Sequence, residues 1–224
     1  MLKSLVLVLA MVFILWDWYE TRRMSVKIRY LTKPMATALI WLGLVLHLPT
    51  MSWPVWLFVV GLALGLAGDI FLMFWGESFF KAGLASFFLG HIAYIIGFLA
   101  SGSVNSPGWA LLMAVIPIVI VAFFFRIIIG KVEGSLKLPV IAYSLVINLM
   151  LYMALLNIFR LAWGTTATIL SIAGSALFVL SDSLLAYDRF ARLPGPPRNE
   201  LWVMITYHLA QISIAAAVIL RFAG

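Results

Sequence analysis

Asp69 and Asp182 are the residues of this chain best suited to do chemistry. Each stands inside an otherwise apolar run, GLALGLAGDIFLMF (residues 61–74) and GSALFVLSDSLLAY (residues 174–187). A carboxylate near a hydrocarbon core costs roughly 2.5–3.5 kcal/mol on insertion scales, so such acids normally face a protein interior and mark function. Two acids in similar surroundings suggest a paired site. Burial and like-charge proximity leave one such acid protonated and the other ionised. Together they supply a proton donor, a base for water and negative charge against a developing cation, as in glycosidases. The bland alternative is a pair of helix-packing acids, each held by a nearby Lys or Arg.

The elements that must position these acids are read from composition. Of 224 residues, 65% are hydrophobic and 10% charged, and the mean hydropathy is +1.13. A soluble domain is nearer half apolar and a quarter charged, so an integral membrane protein is expected. The apolar runs are continuous, not alternating, and about 20 residues long, which excludes a β-barrel and fits membrane-crossing helices. The expected fold class is all-α, a polytopic transmembrane helical bundle forming one integral-membrane domain over residues 1–224. Eight spans are predicted, at roughly 2–19, 34–49, 54–75, 79–100, 108–129, 138–159, 165–187 and 200–222. Turn-forming residues separate them, among them Pro34, Pro49 to Pro54, the SGSVNSPG stretch from Ser101, Gly164, and Pro194 to Pro197. The first span ends in Trp16, Asp17, Trp18 and Tyr19, read as an interfacial cluster.

Cysteine is absent, which removes disulfides, thiol nucleophiles and thiolate metal ligands. His47, His91 and His208 show no metal-ligand spacing, so neither a metal nor an organic cofactor is expected. The net charge of +7 is explained by topology instead of by a nucleic-acid partner. All 15 Lys and Arg except Lys3, Arg160 and Arg221 fall in the loops after spans one, three, five and seven. By the positive-inside rule those loops face the cytoplasm and both termini face away from it. Asp69 and Asp182 then lie at equal depth, about 9 Å below the cytoplasmic surface at ~1.5 Å per residue. Small residues at Gly61, Gly65 and Gly68, and at Ala167, Ser171 and Ser175, would let the two helices approach closely. Gly68-Asp69-x-x-Leu72 also echoes Ser181-Asp182-x-x-Leu185, each followed one helix later by a polar cluster, which suggests a four-plus-four repeat.

The other candidates carry two readings each. His91, with Tyr94 beside it, is either a satisfied packing histidine or a site residue. Tyr207 and Gln211 share a helix face at i and i+4, and either orient a substrate oxygen or tie helices together. Lys33, ahead of Pro34 at the cytoplasmic start of span two, is either a snorkelling topology lysine or a partner for a phosphate or an aspartate. Tyr143 and Asn148 are weaker candidates of the same kind.

With these residues in view, the chain resembles the YhhN membrane family, which includes lysoplasmalogenases. The resemblance rests on Lys33-Pro34, GLAGDIFLM (65–73), FFLGHIAY (87–94), GSALFVLSDSLLAYDRF (174–190) and TYHLAQ (206–211), in that order along nearly the whole chain. It implies hydrolysis of the vinyl-ether bond of a lysoplasmalogen to a fatty aldehyde and a glycerophospho-ethanolamine or -choline. Asp69 and Asp182 match the family's acidic positions; His91, Tyr207 and Gln211 match its polar ones. Vinyl ethers hydrolyse by protonation of the outer alkene carbon and addition of water to the oxocarbenium ion, which a pair of carboxyls can serve without a metal. Asp69 and Asp182 are therefore the candidate catalytic residues, and Lys33, His91, Tyr94, Tyr143, Asn148, Ser181, Tyr207 and Gln211 the candidate substrate-binding set. The expected partner is a single-chain phospholipid drawn from the membrane, with a bacterial inner membrane as location and the site toward the cytoplasmic leaflet. Two other functions fit part of the pattern. A proton- or cation-coupled transporter would use the acids as a relay. An intramembrane aspartyl protease would share Gly68-Asp69, but Ser181-Asp182-Ser183 stands where its tyrosine-aspartate motif is expected, and its PAL-type motif is missing.

Overall fold

The computed structural model of the chain is described over residues 1–191 and 199–223. The Pro194 to Pro197 break and the basic residues Arg192 and Arg198 lie outside the described residues. Among the described residues there are helices and no strands. The long helices are α1 (Leu2–Arg22), α2 (Val26–His47), α3 (Trp53–Leu72) and α4 (Glu77–Ala100). A short α5 (Pro107–Leu112) leads into α6 (Val115–Ile127), followed by α7 (Lys137–Leu155), α8 (Thr165–Ala186) and α9 (Glu200–Phe222). Seven stretches are long and apolar enough to cross a membrane, counting α5 and α6 as one. The chain is thus an integral membrane protein.

Helix α2 is not among those seven and corrects the predicted second span. It begins at Val26, eight residues before the expected start, so Pro34 lies inside the helix and not in its first turn. A proline within a helix removes one backbone hydrogen bond and crowds the preceding turn. Side chains hold that turn from outside: Thr32 donates to Asp17 on α1 at 2.8 Å, and Arg29 reaches Glu200 on α9. This early start places Lys33 and Thr37, four residues apart, on one face of α2. The predicted fifth span is likewise two helices. Pro117 cannot donate to the carbonyl of Met113, and the chain tightens there, with Met113 and Ala114 bonded three residues back to Ala110 and Leu111. The sixth and seventh spans run on into short non-α segments, Leu156–Phe159 and Tyr187–Ala191.

The helices pack as hairpins α1–α2, α3–α4 and α8–α9; α7 leans on α4 and α8, while α9 also touches α1, α2 and α3. Small residues decide the closest approaches. On α3, Gly61, Gly65 and Gly68 form a groove in which rings from α4 lie; a Cβ on Gly68 would stand 2.6 Å from Phe87. On α8, a Cβ on Gly174 would stand 2.9 Å from the carbonyl oxygen of Ala210 on α9. The predicted use of these residues, to bring α3 against α8, is therefore corrected. Gly61 and Gly68 seat α3 against rings of α4, Gly65 faces Gln211 and Tyr207 on α9, and Ser171 on α8 accepts a hydrogen bond from Asn157 at 3.0 Å. Lipid-facing bulk is borne by residues such as Ile118, Val119 and Phe123 on α6, all exposed.

Candidate active site

Asp69 sits one turn before the end of α3, buried against α2 and α9. Its Oδ2 accepts hydrogen bonds from Thr37 Oγ1 and from the Tyr207 hydroxyl, each at 2.7 Å. Its Oδ1 faces Lys33 Nζ at 3.3 Å. Gln211, one turn beyond Tyr207 on α9, donates from Nε2 to the Tyr207 oxygen at 2.7 Å. Two hydroxyl donors and an ammonium are the partners that suit an ionised carboxylate, since such a group only accepts.

Asp182 sits near the end of α8 and has different company. Its Oδ2 accepts a short hydrogen bond from the Tyr143 hydroxyl on α7. His91 Nε2, on α4, lies 2.9 Å from that hydroxyl and 3.6 Å from the carboxylate oxygen. Tyr143 has a single hydrogen and gives it to Asp182, so its oxygen accepts from His91 Nε2–H. The side chain of Asp182 is 19% exposed against 2% for Asp69, and that difference decides which acid a ligand can meet. Asp182 opens on an apolar cavity between α4, α7 and α8, walled by Leu84, Phe87, Val140, Ile147 and Val179, with Tyr143 and Asn148 among its few polar residues. A vestibule adjoins it whose largely apolar wall also carries the charged groups of Arg29, Lys33, Arg189 and Glu200. Leu72 and Phe80 belong to the walls of both.

The two acids thus have separate hydrogen-bond partners, and among the described residues no hydrogen bond joins their carboxyls. Phe178 lies between them, its ring centroid 5.4 Å from His91 and 5.8 Å from Tyr207. The cause is the hairpin packing: α3 is flanked by α2, α4 and α9, and α8 by α7 and α9. The arrangement is reciprocal. Each acid is held by the helix that precedes its own (α2 or α7) and by the second helix of the opposite hairpin. His91 follows Asp69 in sequence yet serves Asp182, and Tyr207 with Gln211 follows Asp182 yet serves Asp69.

The remaining candidates have other surroundings. Ser181 Oγ donates to the Val203 carbonyl at 3.0 Å and ties α8 to α9. The Tyr94 ring packs with Phe58 and Phe178 over Gly61. Asn148 Nδ2 donates to the Ser144 carbonyl one turn back, at 2.9 Å. His208, which the sequence groups with Tyr207, accepts instead from Trp18 Nε1 at 3.0 Å. Among the described residues no three His, Asp or Glu side chains gather as a metal-binding set.

Four residues escaped the sequence reading. Thr37 carries no signal of its own beyond its place one turn from Lys33. Asp17, read as part of an interfacial cluster, is fully buried against Thr32 and 3.7 Å from Arg29 Nε. The rule that singles out Asp69 also applies to Asp17, an acid in an apolar helix. Arg29 and Glu200 complete that chain of charges at the vestibule wall.

The family model for the YhhN family matches residues 28–218. Human lysoplasmalogenase TMEM86B is 32% identical over 147 residues, covering 66% of this chain and 56% of that protein. The mouse TMEM86B is 31% identical over 157 residues, 70% of this chain and 61% of its own length. Bovine lysoplasmalogenase TMEM86A is 29% identical over 162 residues, 71% and 64% of the two chains. The match therefore spans less than two thirds of these relatives. No solved structure matches. Resting on a family match that takes in every residue of both acid clusters, the chain belongs to the YhhN family.

Proposed function

We propose that this protein is a lysoplasmalogenase, which hydrolyses the vinyl-ether bond of an alkenyl-glycerophosphoethanolamine or -choline to a fatty aldehyde and the glycerophospho-base. One observation carries the reading: an apolar cavity bearing Asp182 adjoins a vestibule bearing Arg29, Lys33 and Arg189, and the two share Leu72 and Phe80. A single-chain phospholipid has the same order of parts. Its chain suits the cavity, its phosphate suits the cations, and the bond between them falls near the shared wall. The names of the relatives agree with this chemistry.

In this mechanism Asp182 gives a proton to the outer alkene carbon, leaving an oxocarbenium ion at the carbon bonded to oxygen. The carboxylate so formed faces the cation and then takes a proton from the water that adds, the acid-then-base sequence of retaining glycosidases. The hemiacetal collapses to aldehyde and alcohol, its hydroxyl proton passing to the glycerol oxygen. Tyr143 and His91 hold Oδ2, so Oδ1 serves the substrate. Asp69 takes a different part from the one first expected of it: it anchors Lys33 at the vestibule floor and adds negative potential behind the site. No metal or organic cofactor enters this scheme.

The same reading takes α2 as an eighth span and both termini as non-cytoplasmic, with a bacterial inner membrane as location. Lys33, Lys81, Arg189 and the Asp182 cluster then lie toward the cytoplasmic leaflet, where the phospholipid enters. The test is aldehyde release by the purified chain from lysoplasmenylethanolamine, beside an acyl lysophospholipid and the Asp182→Asn variant. Release from the vinyl ether alone, lost in the variant, is the expected result. Release from neither lipid by folded protein, or equal release by the variant, would overturn the assignment.

A further inference from the structure

Along α7, the Asp182 cavity is shorter than the chain of a membrane lipid. The bond to be cleaved must meet Asp182, whose Oδ2 is held by Tyr143 on α7. From Tyr143 the cavity follows α7 through Ser144 and Ile147 to Asn148, about 7 Å at ~1.5 Å per residue. A chain that fills one leaflet reaches about 15 Å, half of a ~30 Å hydrocarbon core. The rest of the chain has to continue past Asn148. That residue also lines a second groove, apolar and open, between α6 and α7. Leu145, Asn148, Leu149 and Tyr152 form its wall on α7, at the three- and four-residue spacing of one helix face. Ala114, Pro117, Ile118 and Val121 face them from α6 with the same spacing. Phe124, one turn further along α6, belongs to the Asp182 cavity instead. Helices α6 and α7 therefore wall both spaces, and Asn148 stands where the two meet.

We propose that the hydrocarbon chain of the lysolipid leaves the Asp182 cavity past Asn148 and lies in the groove between α6 and α7, its tip open to the bilayer. The groove suits hydrocarbon. Its walls are mostly Ala, Pro, Ile, Val and Leu, and its two polar side chains turn to backbone carbonyls, Asn148 to that of Ser144 and Tyr152 to that of Ala110. Helix α6 is the wall able to yield to a chain. Pro117 is its one buried residue, and it packs chiefly on α7. A lysolipid can then enter and leave sideways without drawing its whole chain out of lipid. Chains longer than the cavity are accepted, because the excess stays in the membrane. That the chain is an alkenyl one rests on the lysoplasmalogenase reading, whereas the groove needs only a single-chain phospholipid at Asp182.

The test uses the full chain in lipid nanodiscs and two 1-O-alkyl lysophosphocholines, which lack the vinyl ether and so bind without turnover. One carries a photoreactive diazirine near the glycerol end of its chain, the other at the chain tip. After illumination, peptide mass mapping should find the first label on cavity walls such as Ile147 and Val179. The second should fall on the groove, on α6 before Phe123 and on α7 from Leu145 to Tyr152. Excess unlabelled 1-O-alkyl lysophosphocholine should remove both labels. Ala122→Trp, which places a ring in the groove, should remove the tip label there. Val119→Trp, which adds the same ring at an exposed α6 position outside the groove lining, should leave it. A groove label that excess lysolipid does not remove marks ordinary bilayer contact and would overturn the proposal. So would a competed tip label on other helices beside a normal cavity label. Absence of competed labelling by either probe would remove the lysolipid reading together with the groove. A competed groove label on protein that releases no aldehyde would leave the groove standing and remove the enzyme assignment alone.

Discussion

Removing both partners of the Lys33–Asp69 pair should destabilise the protein by less than the sum of removing each alone. The Asp69 side chain is 2% exposed and that of Lys33 is 12%, at 3.3 Å. Breaking a buried pair by deleting one member costs about 3–5 kcal/mol, because the other charge stays buried and unpaired. Lys33 lies at the vestibule, where water relieves part of this, so the lower end, about 3 kcal/mol, applies to Asp69→Asn. Lys33→Met leaves Asp69 with only the Thr37 and Tyr207 hydroxyls and should cost at least as much. At roughly 2–4 °C per kcal/mol for a chain of this size, each single variant should melt about 6–12 °C lower. In the double variant the introduced amide carbonyl still accepts from both hydroxyls and no charge is buried there, so the loss should fall short of additivity by about 2–3 kcal/mol. Thermal unfolding in detergent, followed by tryptophan fluorescence, measures all four proteins. Single variants that melt with the parent, or a double variant whose loss equals the sum, would refute the buried-pair reasoning.

Asp182→Asn should show the reverse profile. Its partly open side chain makes the change tolerable to the fold, with a melting point within a few degrees of the parent, while loss of a general acid should lower kcat by about 10²–10⁴-fold. Gly68→Ala should cost about 1–3 kcal/mol as an overpacking change, because the new methyl meets Phe87 at 2.6 Å; an unchanged melting curve would show that α3 and α4 are not held at this distance. Arg189→Gln should raise KM for a phosphorylated lysolipid about 2–5-fold at low salt, the value of an exposed charge pair, and the difference should shrink as salt rises. A KM indifferent to both the substitution and salt would remove Arg189 from the vestibule's function.

Much of this architecture was legible in sequence because lipid is an exacting solvent. Continuous apolar runs and the rarity of buried acids are physical constraints, so the helical class and the burial of Asp69 within it could be read directly. Register and partnership were not legible for equally physical reasons. Pro34 reads as a helix start, yet contacts of Arg29 and Thr32 carry α2 through it. Gly61, Gly65 and Gly68 announce a close approach without saying to what, and rings from α4 took the place assigned to α8. The echo between the two halves gave the right ingredients, an acid and then a polar helix. Their crosswise pairing depends on how the hairpins dock, which no local pattern encodes. Asp17 was passed over because tryptophan neighbours suggested a water interface, whereas α2 covers it.

The central claim is that Asp182 protonates the alkene carbon of a vinyl-ether lysolipid. It is tested most directly by turning over lysoplasmenylethanolamine in D₂O with the purified chain, trapping the aldehyde as it forms and reading its mass. The parent should form an aldehyde carrying one deuterium on the carbon next to the carbonyl, and Asp182→Asn should not. An aldehyde without that deuterium, or the same labelled product from Asp182→Asn at the parent's rate, would contradict it.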